Sequence, residues 1–130
     1  MGAFTNYGNN LMLQSVFNGS GTFYLGLVTA LPDQNATSAT LVEPSGGGYS
    51  RIAISAGSAY WKYGQSSASN AYSAVFNTAS ADWGRIVGWA LCDALTGGNV
   101  IACGELVQTL VVQSGSSVTL PKESLVLRLL

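Results

Sequence analysis

The chain has 130 residues, 48% of them hydrophobic, with five Lys and Arg against six Asp and Glu and no histidine. A chain of this length can bury roughly two-thirds of its unfolded surface, so one real core is expected. With only 8% charged residues and a net charge of −1, it has no sustained field to attract nucleic acid or anionic lipid. So little surface charge also predicts that partners cover part of the molecule.

In chain order, residues 1–6 have no basic stretch ahead of an apolar run, and no segment is long enough to span a bilayer. The expectation is a protein made in the cytoplasm. Asn6 stands where a myristoylation signal needs Ser or Thr. The sequons at Asn18 and Asn35 carry meaning only in a secreted eukaryotic chain. Residues 1–19 read as an N-terminal arm with a short helix over 11–17, capped by Asn9 or Asn10, paired Leu13 to Phe17 and Met12 to Val16, and stopped at Gly19. Phe4 and Tyr7 in this arm are candidate interface residues.

Residues 22–29 read as a strand buried on both sides, with Phe23, Leu25 and Leu27 on one face and Tyr24, Gly26 and Val28 on the other. Residues 30–48 hold two of the three prolines and Gly46-Gly47-Gly48, and predict a long surface loop. The glycine triplet lacks the Lys-Ser/Thr ending and the flanking strand and helix of a phosphate cradle. Arg51, just after it, can pair with Glu43 or bind a neighbouring subunit. Short strands are expected over 49–55, 59–63 and 71–76, with a loop over 64–70 between the last two.

Alternation puts Ala59, Trp61 and Tyr63 on one strand face. Trp61 and Tyr63 become candidate interface anchors, with core packing the alternative for Trp61. Trp83 follows a turn aspartate and Trp89 lies in a strand, so both are expected in the core, and Tyr72 is read as structural beside Ala74 and Phe76.

The strongest local signal is a hairpin. If Gly97-Gly98 are the central residues of a primed turn, Trp89 lies opposite Leu106, Leu91 opposite Gly104 and Cys92 opposite Cys103. Val87, Trp89, Leu91 and Leu106 then form a core face, while Gly104 leaves room for the larger groups. The other face, with Ala90, Cys92, Cys103 and Glu105, predicts a surface or subunit contact. A hydrogen-bonded register holds the two Cβ atoms too far apart for a relaxed disulfide, so reduced thiols are expected. Without histidine, two cysteines do not make a zinc site. Strands follow over 107–112 and 118–120, then a last one through Leu125, Leu127 and Leu129; Leu129-Leu130 predicts a tail tucked into a sheet or against a neighbour.

Catalytic signals are missing. The sequence has no histidine for general-base chemistry, no Gly-x-Ser-x-Gly elbow, and carboxylates scattered singly. Only a spatial convergence of residues such as Asp82 and Asp93 would support glycoside hydrolysis. No cofactor or small-molecule substrate is expected. The many short strands with Gly/Ser turns predict one all-β domain over 1–130, an antiparallel, jelly-roll-like β-sandwich with a short N-terminal helix.

Phe23-Tyr24-Leu25-Gly26-Leu27, residues 43–51 from Glu43-Pro44 to Ser50-Arg51, Ala81-Asp82-Trp83-Gly84 and the stretch 90–99 together resemble small structural proteins of tailed-bacteriophage virions. Such proteins are head-decoration, cement, minor tail or tail-fibre-type proteins. The resemblance runs from the helix to the last strand, departing at Cys92, where an aromatic is usual, and in the aromatic-rich stretch 59–63. It implies a non-enzymatic virion protein, made in the bacterial host cytoplasm, that acts by contact with other virion proteins.

The absence of heptads or β-helical repeats favours a capsid cement protein bound to the major capsid protein over a tail, baseplate or fibre component. A dimer or trimer is expected. A carbohydrate-binding module is the alternative from a different class. It would need a concave row of aromatics, whereas alternation divides Tyr60 from Trp61 and Tyr63.

Overall fold

The computed structural model describes residues 2–17, 21–64 and 66–128. Among the described residues one helix precedes nine strands in antiparallel sheets, so the fold is all-β with a short N-terminal helix. The chain divides into two compact units, Met1–Thr22 with Ser55–Ala74 and Leu120–Leu130, and Phe23–Ile54 with Val75–Thr119.

In the first unit, helix α1 (Asn6–Phe17) begins a turn earlier than expected. Thr5, not Asn9 or Asn10, is the cap. Its hydroxyl accepts the Gly8 amide at 3.2 Å, and its carbonyl accepts that of Asn9 at 2.8 Å. The asparagines serve instead as a polar stripe continuing into buried Leu13 and Phe17. They grip the turn between β3 (Trp61–Gly64) and β4 (Ser67–Asn70). Asn10 Oδ1 accepts the Ser66 amide, Asn9 Nδ2 donates to Ser66 Oγ, and that hydroxyl donates to Asn6 Oδ1, each at 3.0 Å. These bonds hold Ser66 at φ 64°, a conformation that ordinarily favours glycine. Gly19 lies outside the described residues.

Strand β4 occupies what reads in sequence as a loop. Ser, Ala and Asn have low strand propensity, but Ala68 and Asn70 are buried and pay for the pairing. Asn70 Nδ2 donates to the carbonyls of Tyr72 and Pro121, and its Oδ1 accepts the Leu125 amide at 2.9 Å. That clip lays β9 (Val126–Arg128) beside β4, completing the sheet β3-β4-β9.

The second unit is built on a four-stranded sheet in the order β2 (Ile52–Ser55), β1 (Thr22–Val28), β6 (Gly84–Cys92) and β7 (Val100–Val112). Strand β1 is central, and every residue from Leu25 to Val28 is buried. The alternation that marked it as two-sided is borne out. Short strands β5 (Ala74–Val75) and β8 (Thr119–Leu120) form a separate ribbon.

The hairpin register differs from the expected one. Trp89 faces Gly104, Ala90 faces Cys103 and Leu91 faces Ala102; after a bulge, Cys92 faces Val100. A two-residue turn does not close it. Asp93 does, because its carboxylate accepts the Asn99 amide at 2.7 Å and the Asn99 side chain at 3.0 Å. Gly97 and Gly98 sit inside that wider loop at φ 64° and 72°. From Trp89 to Leu91 the displacement is two positions, which keeps these residues on their expected faces, and the bulge makes it three at Cys92; Trp89 and Leu91 are core residues as anticipated, while Leu106 is only half-buried. Gly104 makes room for Trp89, since a Cβ there would meet the indole at 2.6 Å.

The second hairpin face is a correction. Ala90 and Cys92 are fully buried with Val28, and Leu41, Val100 and Cys103 pack against them. The loop after β1 supplies Leu41 as cover, so most of this face is core; Glu105 alone of the expected set is exposed.

Candidate interaction surfaces

The densest polar constellation surrounds Arg51. The loop after β1 delivers Glu43, and a turn at Gly46-Gly47-Gly48 reverses the chain so that Tyr49 and Arg51 come back beside it, with the Tyr49 amide donating to the Gly46 carbonyl at 3.1 Å. Trp83 Nε1 and the Ser80 amide both donate to the Gly47 carbonyl at 2.9 Å, which fastens the turn. Arg51 Nε and Nη2 each donate to Glu43 at 3.0 Å, while Nη1 donates to the carbonyls of Ala94 and Gly97 at 2.8 and 2.9 Å. This fork ties the long loop to the β6–β7 hairpin loop.

Tyr49 completes the constellation, donating to Glu43 Oε1 at 2.7 Å and accepting the Leu27 amide at 3.0 Å. Gly26 permits the approach, because a Cβ there would stand 2.5 Å from Glu43 Oε1. Burial, reinforced by the Glu43 hydrogen bond, pushes the Tyr49 hydroxyl well above the usual phenol range. The hydrogen bond to Glu43 raises the already high Arg51 value, and burial pushes the Cys92 thiol up. Arg51 was a candidate interface residue; at 6% exposure and with its fork engaged, it is an internal clamp.

The other candidates divide. Trp61 is 1% exposed, its ring centroid 4.5 Å from that of Phe17 and its Nε1 donating to the Ser55 carbonyl at 3.2 Å, so it is a core residue of the first unit. Tyr63 is half-buried. Phe4 and Tyr7 are 68% and 73% exposed, and Leu11, Met12 and Val16 continue an apolar outer arc on a helix without a charged residue. Leu129 and Leu130 lie outside the described residues. Trp83 is buried, as expected. Tyr72 is exposed, contrary to the structural reading, and pairs with Tyr60 at 6.2 Å between ring centroids.

On the solvent side of the sheet β3-β4-β9, Lys62 meets Glu123 at 2.7 Å beside a recess of about 490 Å³ lined also by Tyr63, Gly64, Ser67 and Ser69. The lysine holds the Glu123 carboxyl below the usual range. A single aromatic in this recess does not make the row on which a sugar would stack.

A model of the family described as podophage GP4 fiber I protein gp80 matches residues 3–128. The chain belongs to that family. It is a small structural protein of the phage virion. No curated protein matches the chain.

Against the fibre-protein family, the remaining polar groups read as fasteners. Asp82 accepts the Ser114 amide at 2.9 Å and Asp93 closes its own hairpin, so each carboxylate is engaged in a turn. Among the described residues no three His, Cys, Asp or Glu cluster as a metal site would require, both cysteines are free thiols, and no helix is long and apolar enough to cross a membrane. Sequence reasoning missed Asn70 and the asparagines of α1. The spacing of Asn6, Asn10, Leu13 and Phe17, one helix face, was the signal available.

Proposed function

We propose that this chain is a non-enzymatic component of a podophage fibre, held in the virion by contacts with other virion proteins. The observation that carries the reading is the fibre-family match across residues 3–128. It favours the fibre-associated alternative over the capsid-cement role suggested by the lack of heptads and repeats. The low charge supports assembly through apolar and hydrogen-bonded contacts, which salt does not weaken.

The exposed, uncharged arc of α1 around Phe4 and Tyr7 is the face we assign to a virion neighbour. Antibodies against the chain, followed by gold labelling of intact virions, test the placement. Label on fibres is expected. Label spread over the capsid shell would restore the cement reading, and absence from purified virions would overturn both.

A further inference from the structure

Of the five Lys and Arg in the chain, three lie in the first unit, Lys62, Lys122 and Arg128, against one of the six acids, Glu123. A molecule of net charge −1 therefore carries a local excess of positive charge there. Two of these cations stand on one surface. In the sheet β3-β4-β9, Lys62 pairs with Ser69 and Ser69 with Val126, while Gly64 pairs with Ser67 and Ser67 with Arg128. Cross-strand partners share a face, so these six residues form the solvent side, with Trp61, Ala68 and Asn70 buried beneath them. Arg128 is exposed and has neither a hydrogen-bond acceptor nor an ion-pair partner among the described residues.

The backbone places the acid of this surface. Glu123 sits at φ 64°, a conformation that ordinarily favours glycine, and its amide donates to the Asn70 carbonyl at 2.8 Å. Ser124 closes the turn, its hydroxyl and amide donating to the Pro121 carbonyl at 2.6 and 3.2 Å. The Glu123 carboxylate is thereby held 2.7 Å from the Lys62 ammonium, beside the recess of about 490 Å³. The two side chains are 51% and 61% exposed, so the pair adds little stability. What it provides is an acceptor and a donor fixed side by side at an open recess.

We propose that this surface binds an oxyanion carried on a polyhydroxylated ring, a sugar acid or a ring phosphate. The Arg128 guanidinium is an unengaged planar fork of the kind that fits a carboxylate or phosphate, and Ser67, its cross-strand partner, stands beside it at about 5 Å between Cβ atoms. Ser67 Oγ donates to the Gly64 carbonyl at 3.1 Å, which leaves its lone pairs to accept from a ligand. In the neighbouring row, a ring hydroxyl can accept from Lys62 and donate to Glu123, and the Ser69 hydroxyl can do either. The two rows lie two residues apart along β4, about 7 Å, close to the span of one sugar ring with its substituents. A Cβ at Gly64 would meet nothing within 4 Å, so the floor between them is open.

With Tyr63 as its one aromatic, the recess holds a ligand by polar edges and not by stacking, which sets a charged ring above a neutral sugar. Three cations, one of them paired, fall short of the row of phosphate contacts that nucleic acid needs. The site belongs to the first unit alone and does not depend on where in the virion the chain stands.

The test follows the backbone amide NMR resonances of the isotope-labelled full chain during titration with glucuronate, inositol monophosphate, glucose, acetate and inorganic phosphate. Saturable shifts at Lys62, Ser67, Ser69 and Arg128 are expected at millimolar glucuronate or inositol monophosphate, and whichever binds identifies the source of the charge. Glucose, acetate and inorganic phosphate each lack either the charge or the ring and are expected to bind at least about tenfold more weakly. Arg128→Gln is expected to weaken binding of the charged rings at least about tenfold. Arg85→Gln, at an exposed arginine of the second unit, leaves it unchanged, and the spectrum of each variant shows that it is folded. The absence of saturable shifts up to about 50 mM would overturn the proposal. Binding of acetate or inorganic phosphate as strong as that of the rings, or equal losses in the two arginine variants, would overturn it equally, by reducing the site to a general effect of charge.

Discussion

Arg51 is the residue whose sequence setting was most misleading. An arginine after a glycine-rich loop is usually solvated, yet this one is buried and satisfied by Glu43, Ala94 and Gly97. The pairing with Glu43 was one of the two readings open in the sequence and is the one found, but only the folded loop brings the 94–97 carbonyls to the same guanidinium, so that half of the clamp left no trace in composition or spacing. Arg51→Met is expected to lower stability by up to about 3 kcal/mol, since it leaves the half-buried Glu43 carboxylate and the Ala94 and Gly97 carbonyls without their shared donor. Adding Glu43→Leu should return part of that loss, making the double variant less destabilised than the two single effects predict. Urea denaturation of the three variants measures both effects; additive losses would mean that the pair does not act as a unit. Trp61 shows a similar limit. Alternation assigned its strand face correctly, but which face of β3 meets α1 depends on Phe17, distant in sequence.

At the scale of elements, what was legible depended on whether a local pattern or a distant side chain decided the structure. Strand β1 was legible because apolar residues on both faces suit only a central strand. The β6–β7 hairpin was legible in its strands and faces but not in its register, because the Asp93 carboxylate, rather than the glycine pair, closes the loop. Strand β4 was illegible, because its pairing rests on the burial of Ala68 and Asn70 and on the α1 asparagines that hold its turn.

The Asp93 closure has a pH signature. The Asn99 amide, and then its side chain, hold the Asp93 carboxyl below its ordinary value. A folded-state value below the unfolded one means that the contribution is present above about pH 4 and is lost as pH falls through the folded value. Thermal melts between about pH 5 and pH 2 should therefore show a shallower acid loss for Asp93→Asn than for the parent chain. Identical slopes would show that the loop closure is independent of the charge.

For the whole molecule, the virion class was legible from blocks spread along the chain, and the family match over residues 3–128 agrees with it. The location within the virion was not legible. A charge-poor β protein with an apolar outer helix face suits a capsid shell and a fibre equally, since both need contacts insensitive to salt. The lack of heptads and β-helical repeats excludes a long shaft built from this chain alone, but it does not exclude a small module within a fibre. Copy number in the virion separates a fibre component from a shell protein. Quantitative mass spectrometry of purified virions is expected to give a ratio to the major capsid protein far below one. A ratio near one would contradict the fibre assignment and place the chain on the shell.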